Sequence, residues 1–129
     1  MKVAFDVFDQ DRDVAYFQAG TRGWSMSDDA SGITAFDHDT GDILAVWVLD
    51  RFTGPTAMCH GVMTNSIVMK YGWAEEVAGF TFEHHDLVQA NAMAPVSTPK
   101  IDEFAKWLGF IEVARIPDGH APDDDYIGS

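Results

Sequence analysis

The run Ile43-Leu44-Ala45-Val46-Trp47-Val48-Leu49 constrains this chain more than any other feature. These seven consecutive apolar residues fall far short of the roughly 20 that a membrane span needs. They also lack the alternation of a strand with one wet face. A strand that is apolar on both faces belongs in the middle of a sheet with material packed on each side. The turn cluster His38-Asp39-Thr40-Gly41 precedes it, and before that comes another strand-like segment, Ile33-Thr34-Ala35-Phe36. Two strand patterns joined by such a turn read as an antiparallel hairpin.

The remaining segments extend this pattern. Val3, Phe5 and Val7 alternate as a first strand. Asp9 or Asp11 can cap a short helix that ends at Gly20 to Gly23. Thr56 to Thr64 reads as a strand that places Met58, His60 and Val62 on one side and Cys59 and Met63 on the other. Ser66 to His84 is the longest helical stretch, with Ile67, Tyr71, Ala74, Ala78 and Phe82 near helical spacing. A strand over Leu87 to Ala94 stops at Pro95, and Ser97-Thr98-Pro99 opens a last helix. A strand over Phe110 to Ile116 closes the order. The expected fold is α/β (α+β): a mixed sheet of about six strands with helices on both faces. It is read as one domain, 1–129, in which 117–129 is an acidic tail.

A chain of 129 residues with 47% hydrophobic and 22% charged residues can bury a core without metals or disulfides. The net charge of −13 argues against direct nucleic-acid binding, because phosphate contacts need a basic face. An acidic surface serves solubility, or else it meets a basic partner or a cationic substrate. Cys59 is the one cysteine. It makes no internal disulfide, which fits the cytoplasm, and a small buried side chain is its expected role. The N-terminus has no apolar stretch of signal-peptide length, and no membrane association is expected.

The element order is that of the GNAT superfamily of N-acetyltransferases, and specific text agrees. Lys106-Trp107-Leu108-Gly109-Phe110, followed by Ile111-Glu112-Val113-Ala114-Arg115, resembles the family's closing helix, Leu-Gly-Phe and strand. Gly32 to Phe52 is similar to the family's hairpin. Val48 to His60 and Ala94-Pro95-Val96-Ser97-Thr98 resemble segments of small GNAT-like proteins of phages and prophages. The resemblance covers roughly Gly32 to Gly119 and implies acetyl-CoA as cofactor and a small-molecule or protein amine as acceptor.

One departure matters. The family's Gln/Arg-x-x-Gly-x-Gly/Ala loop cradles the cofactor pyrophosphate, and the corresponding stretch here, Thr64 to Gly72, does not match it. A helix start near Asn65 and Ser66 still offers N–H groups, and Lys70 offers a charge. Thr98 stands where the family has Asn, with Lys100 nearby.

By the same resemblance, His60 is the candidate general base, since an imidazole titrates near neutral pH. The amide of Gly61 or Val62 is the candidate oxyanion donor. Tyr126 is the candidate acid for the departing thiolate. His84, His85 and Asp86 look like a metal cluster, but adjacent histidines in an extended segment point to opposite faces, and no ion is expected there. The lost glycine loop leaves an alternative: a catalytically degenerate GNAT-fold protein acting as a virion component or as an inhibitor of a host protein.

Overall fold

The structure, a computed structural model, describes residues 1–21, 23–91, 93–95, 114–121 and 124–128. The chain divides into two compact units, Met1–Ala90 and Asn91–Ser129.

The first unit begins with β1 (Val3–Val7), α1 (Gln10–Thr21), β2 (Ser31–Asp37), β3 (Ile43–Thr53) and β4 (Thr56–Met63). β1 to β4 pair antiparallel in chain order, and β5 (Gln89–Asn91) completes a five-stranded sheet of order β1-β2-β3-β4-β5. Every residue of β3 from Leu44 to Asp50 is buried, as a central strand requires. Pro55, just before β4, accepts hydrogen bonds from the amides of Val88 and Gln89, at the start of β5. The two strands therefore begin side by side. β5 is three residues long beside the eight-residue β4.

Asp9 is the residue that caps α1. Its carboxylate accepts from the Arg12 amide at 3.1 Å, while the Asp13 carboxylate reaches back to the Asp9 amide at 2.9 Å. Asp13 is fully buried and is held by Arg12 and by the Thr34 hydroxyl on β2. This charged joint locks the start of α1 to the sheet. Phe17, one turn later, packs on Val46 and Val48 of β3. Gly20 permits the last turn to settle on β4: a Cβ there would lie 2.3 Å from a methyl of Val62.

The stretch Ser66 to His84 is not the single helix its periodicity predicts. A 3-10 helix (Ser66–Tyr71), α2 (Trp73–Ala78) and a π-helical segment (Gly79–His84) follow one another. Gly72 divides the first two with φ 85°, a left-handed conformation that no continuous α-helix contains. Trp73 and Val77 of α2 are buried, and Phe5 of β1 stacks on Trp73. The Trp47 indole donates to the buried Thr81 hydroxyl at 3.0 Å, tying the π segment to β3.

The second unit holds β6 (Met93–Pro95), β7 (Ala114–Ala121) and β8 (Asp124–Gly128) in a three-stranded antiparallel sheet with β8 central. Two expectations are corrected here. The described strands number eight in two sheets, against about six in one. The acidic segment from 117, read as a tail, carries most of β7 and all of β8. Its Pro117 sits in an edge strand where the pairing with β8 shifts register, a position at which a missing amide costs no ladder bond. Among the described residues, no helix is long and apolar enough to cross a membrane.

Candidate functional site

The β3–β4 register builds the site. Val48 pairs with His60 and Asp50 with Met58, so Asp50 and His60 are diagonal neighbours on one face of the sheet. That face also carries Val46, Val48 and Val62 and is covered by Phe17 of α1. His60 Nε2 lies 2.7 Å from Asp50 Oδ1. Asp50 is completely buried, and its Oδ2 receives the Trp24 indole N–H at 3.2 Å and the Arg51 guanidinium. All three partners of Asp50 donate, so it acts purely as an acceptor and His60 Nε2 carries the hydrogen. Nδ1 is then the basic nitrogen, and among the described residues no other hydrogen bond to His60 is present.

The imidazole is 13% exposed. It lies between two rings, with the Phe17 centroid 6.0 Å away edge-on and the Trp24 centroid 4.8 Å away. Burial, the largest effect, holds its pKa below the ordinary 6.5, and the nearby Arg51 charge acts in the same direction. The hydrogen bond and charge of Asp50 oppose both without overcoming them. His60 is thus neutral at pH 7, in the form a general base requires. Cys59 points to the other face and is buried. Burial, then the Asp50 charge, pushes its thiol up to about 12, which removes it as a nucleophile at neutral pH.

A pH dependence follows. Below 6.5 the unfolded chain protonates His60 while the native chain resists. Its contribution to stability is complete above pH 6.5 and is lost as pH falls towards the lower native value. His85 has the same sign, lowered by burial and then by His84. Urea midpoints at pH 7.5 and 5.5 check this: the drop on acidification should shrink in a His60→Gln variant.

The structure places the other sequence candidates as follows. Gly61 and Val62 continue β4 from His60, opposite Trp47 and Val46, and Gly61 is exposed. Asn65 caps the 3-10 helix with its own side chain, accepting from the Ile67 amide at 3.0 Å. Ser66 and Lys70 are exposed on that helix. Tyr126 lies in the middle strand of the second unit, paired through its backbone with Pro95 and Ile116. Thr98 and Lys100 lie outside the described residues, as do the last helix and the Leu-Gly-Phe segment. His85 is packed against Phe52 and Phe80 with its Nε2 3.0 Å from the Ser31 hydroxyl.

Sequence reading missed Asp50, Trp24 and Arg51. A signal for Asp50 was present. It is an acid at the end of a run apolar on both faces, in phase with Val46 and Val48 and, through the hairpin, with His60.

Gly61 of β4 is exposed where the thioester arm of the coenzyme implied by the resemblance would lie, and Ser66 and Lys70, both exposed, follow in the chain. The residues fit an arm along the strand with side-chain donors at its far end. They do not fit an amide cradle for pyrophosphate, because the turn is a six-residue 3-10 helix already capped by Asn65.

No protein-family model matches the chain, and no curated protein matches it. Solved structures do. The spermidine/spermine N-acetyltransferase SpeG from Vibrio cholerae in complex with manganese ions aligns with a TM-score of 0.73 at 10% identity. That alignment covers 98% of this chain and 90% of that one. A dodecameric form of the Vibrio cholerae spermidine N-acetyltransferase in an intermediate state aligns at 0.72 and 11% identity, covering 98% and 91%. A chimera of that enzyme with hSSAT aligns at 0.74 and 8% identity, covering 97% and 93%. The chain therefore has the fold of these N-acetyltransferases, the GNAT fold that the sequence resemblance implies.

Proposed function

We propose that this protein is an acetyl-CoA-dependent N-acetyltransferase whose acceptor is an amine that is cationic in water, of the polyamine class on which the similar enzymes act. The observation that carries this reading is the His60–Asp50 pair at 2.7 Å, with the basic Nδ1 left for an acceptor. An ammonium cannot attack a carbonyl, so the acceptor must first lose a proton. His60 Nδ1 takes that proton, and Asp50 holds the ring in the right tautomer and stabilises the imidazolium that results.

When bound, acetyl-CoA supplies an acetyl group activated as a thioester. The amide of Gly61 or Val62 is the donor proposed for the oxygen that gains charge in the transition state. Tyr126 is the acid that the resemblance implies for the thiolate released when the acetyl group passes to the amine. Ser66 and Lys70 hold the far end of the cofactor, with Thr98 and Lys100 assigned to the same task by resemblance.

The Asn65 cap favours a second reading, a GNAT-fold protein that binds a protein partner and catalyses nothing. Calorimetric titration with acetyl-CoA, with thermal denaturation in parallel, separates the two. Ligand at 100 times its Kd should stabilise the native state by about 2.7 kcal/mol. No heat and no shift at millimolar acetyl-CoA would leave only the second reading.

A further inference from the structure

We propose that the Trp24 ring face and the Asp50 carboxylate form a binding site for an alkylammonium ion, which the chain's own Arg51 guanidinium fills. The inference deepens the amine-acceptor reading and rests on it for the role of the bound cation.

An aromatic face beside a desolvated carboxylate is the arrangement that recognises ammonium groups. Here Arg51 Cζ lies 4.5 Å from the Trp24 ring centroid, and its Nη1 pairs with Asp50 Oδ2. The side chain enters from outside: Arg51 is the first exposed residue after the buried run of β3, and its side chain is 45% exposed. Beyond Asp50 and Trp24 the guanidinium donates from Nη2 to the Ser25 carbonyl at 3.2 Å, and the Arg51 backbone N–H donates to the Ser27 hydroxyl at 3.0 Å.

The backbone there is strained. Arg51 has φ 50°, in the left-handed region that a long side chain rarely occupies. Asp50 is 0% exposed with Arg51 in place, so a cationic ligand reaches Oδ2 only by replacing the guanidinium. The net charge of −13 raises the local concentration of cations that can compete.

Arg51→Gly is the informative variant, because glycine adopts φ near +50° at little cost and the occupant is removed. The probe is 1,4-diaminobutane, titrated calorimetrically at pH 8 without acyl donor, with 1,4-butanediol as the neutral control. Arg51→Gly should bind the diamine about tenfold more tightly than the parent protein. The diol should not bind, and adding Trp24→Leu should abolish the gain. Equal or weaker diamine binding in Arg51→Gly, or equal binding of the diol, would overturn the proposal.

If circular dichroism shows Arg51→Gly unfolded, Arg51→Asn decides. Asn tolerates the left-handed region and brings no cation to the site, so it should give a gain in the same direction, and no gain overturns the site. A diamine that binds with this pattern but is never acetylated leaves the site standing and removes the enzymatic reading. Acetylation with no gain in Arg51→Gly does the reverse.

Discussion

Replacing His60 with Gln should lower the rate of acetyl transfer about 10²- to 10⁴-fold, the usual contribution of a positioned general base. Gln matches the imidazole roughly in size and can donate to Asp50, so the local packing survives, but it cannot accept a proton. The loss should fall on kcat at pH 7 and diminish at higher pH, where a larger fraction of the acceptor is already deprotonated. A residue that served only packing would instead change the melting temperature and leave the pH profile in place. Steady-state rates from pH 6 to 10, together with thermal denaturation of both proteins, provide the comparison.

Asp50→Ala should have the largest effect on stability, about 3–5 kcal/mol, the usual cost of removing one partner from a buried ionic network. Three donors lose their acceptor together: His60, the Trp24 indole and Arg51. Arg51 can turn to water, since its side chain is 45% exposed. The His60 ring, 13% exposed, has no such outlet. A loss of this size is a large part of the 5–15 kcal/mol that stabilises a typical domain. Asp50→Asn keeps the volume and one acceptor oxygen, so it should retain most of the stability while losing control of the His60 tautomer. Urea denaturation of the two variants measures the difference.

Much of the fold was legible because it rests on patterns that act locally. The apolar run of β3 and the turn at Thr40-Gly41 fix a central strand and its hairpin partner, and both are where the sequence places them. Asp9, one of two cap candidates, is the cap. The errors have local causes too. Helical spacing from Ser66 to His84 says nothing about hand, and Gly72 in the left-handed region breaks the helix without disturbing the apolar phase. The segment from Pro117 reads as an acidic tail from composition, yet an edge strand with a register shift accommodates a proline.

The candidate site was half legible. His60 is visible as a titratable group beside a glycine on a strand. Asp50 lies ten residues away in sequence, and Trp24 is further still. They meet His60 through strand register and a loop that no local pattern encodes. The orienting carboxylate and the cation face are therefore products of tertiary structure, as is the lowered pKa of His60.

The central claim is that the His60–Asp50 pair serves acetyl transfer to a cationic amine. The most direct test is incubation of the purified protein with acetyl-CoA and spermidine, with the amine analysed by mass spectrometry and free thiol followed in parallel. The account predicts a spermidine product one acetyl group heavier, thiol released in equal amount, and both reduced at least about a hundredfold in His60→Gln. Acetylation that is undiminished in His60→Gln, or no transfer at millimolar concentrations of both substrates, would contradict it.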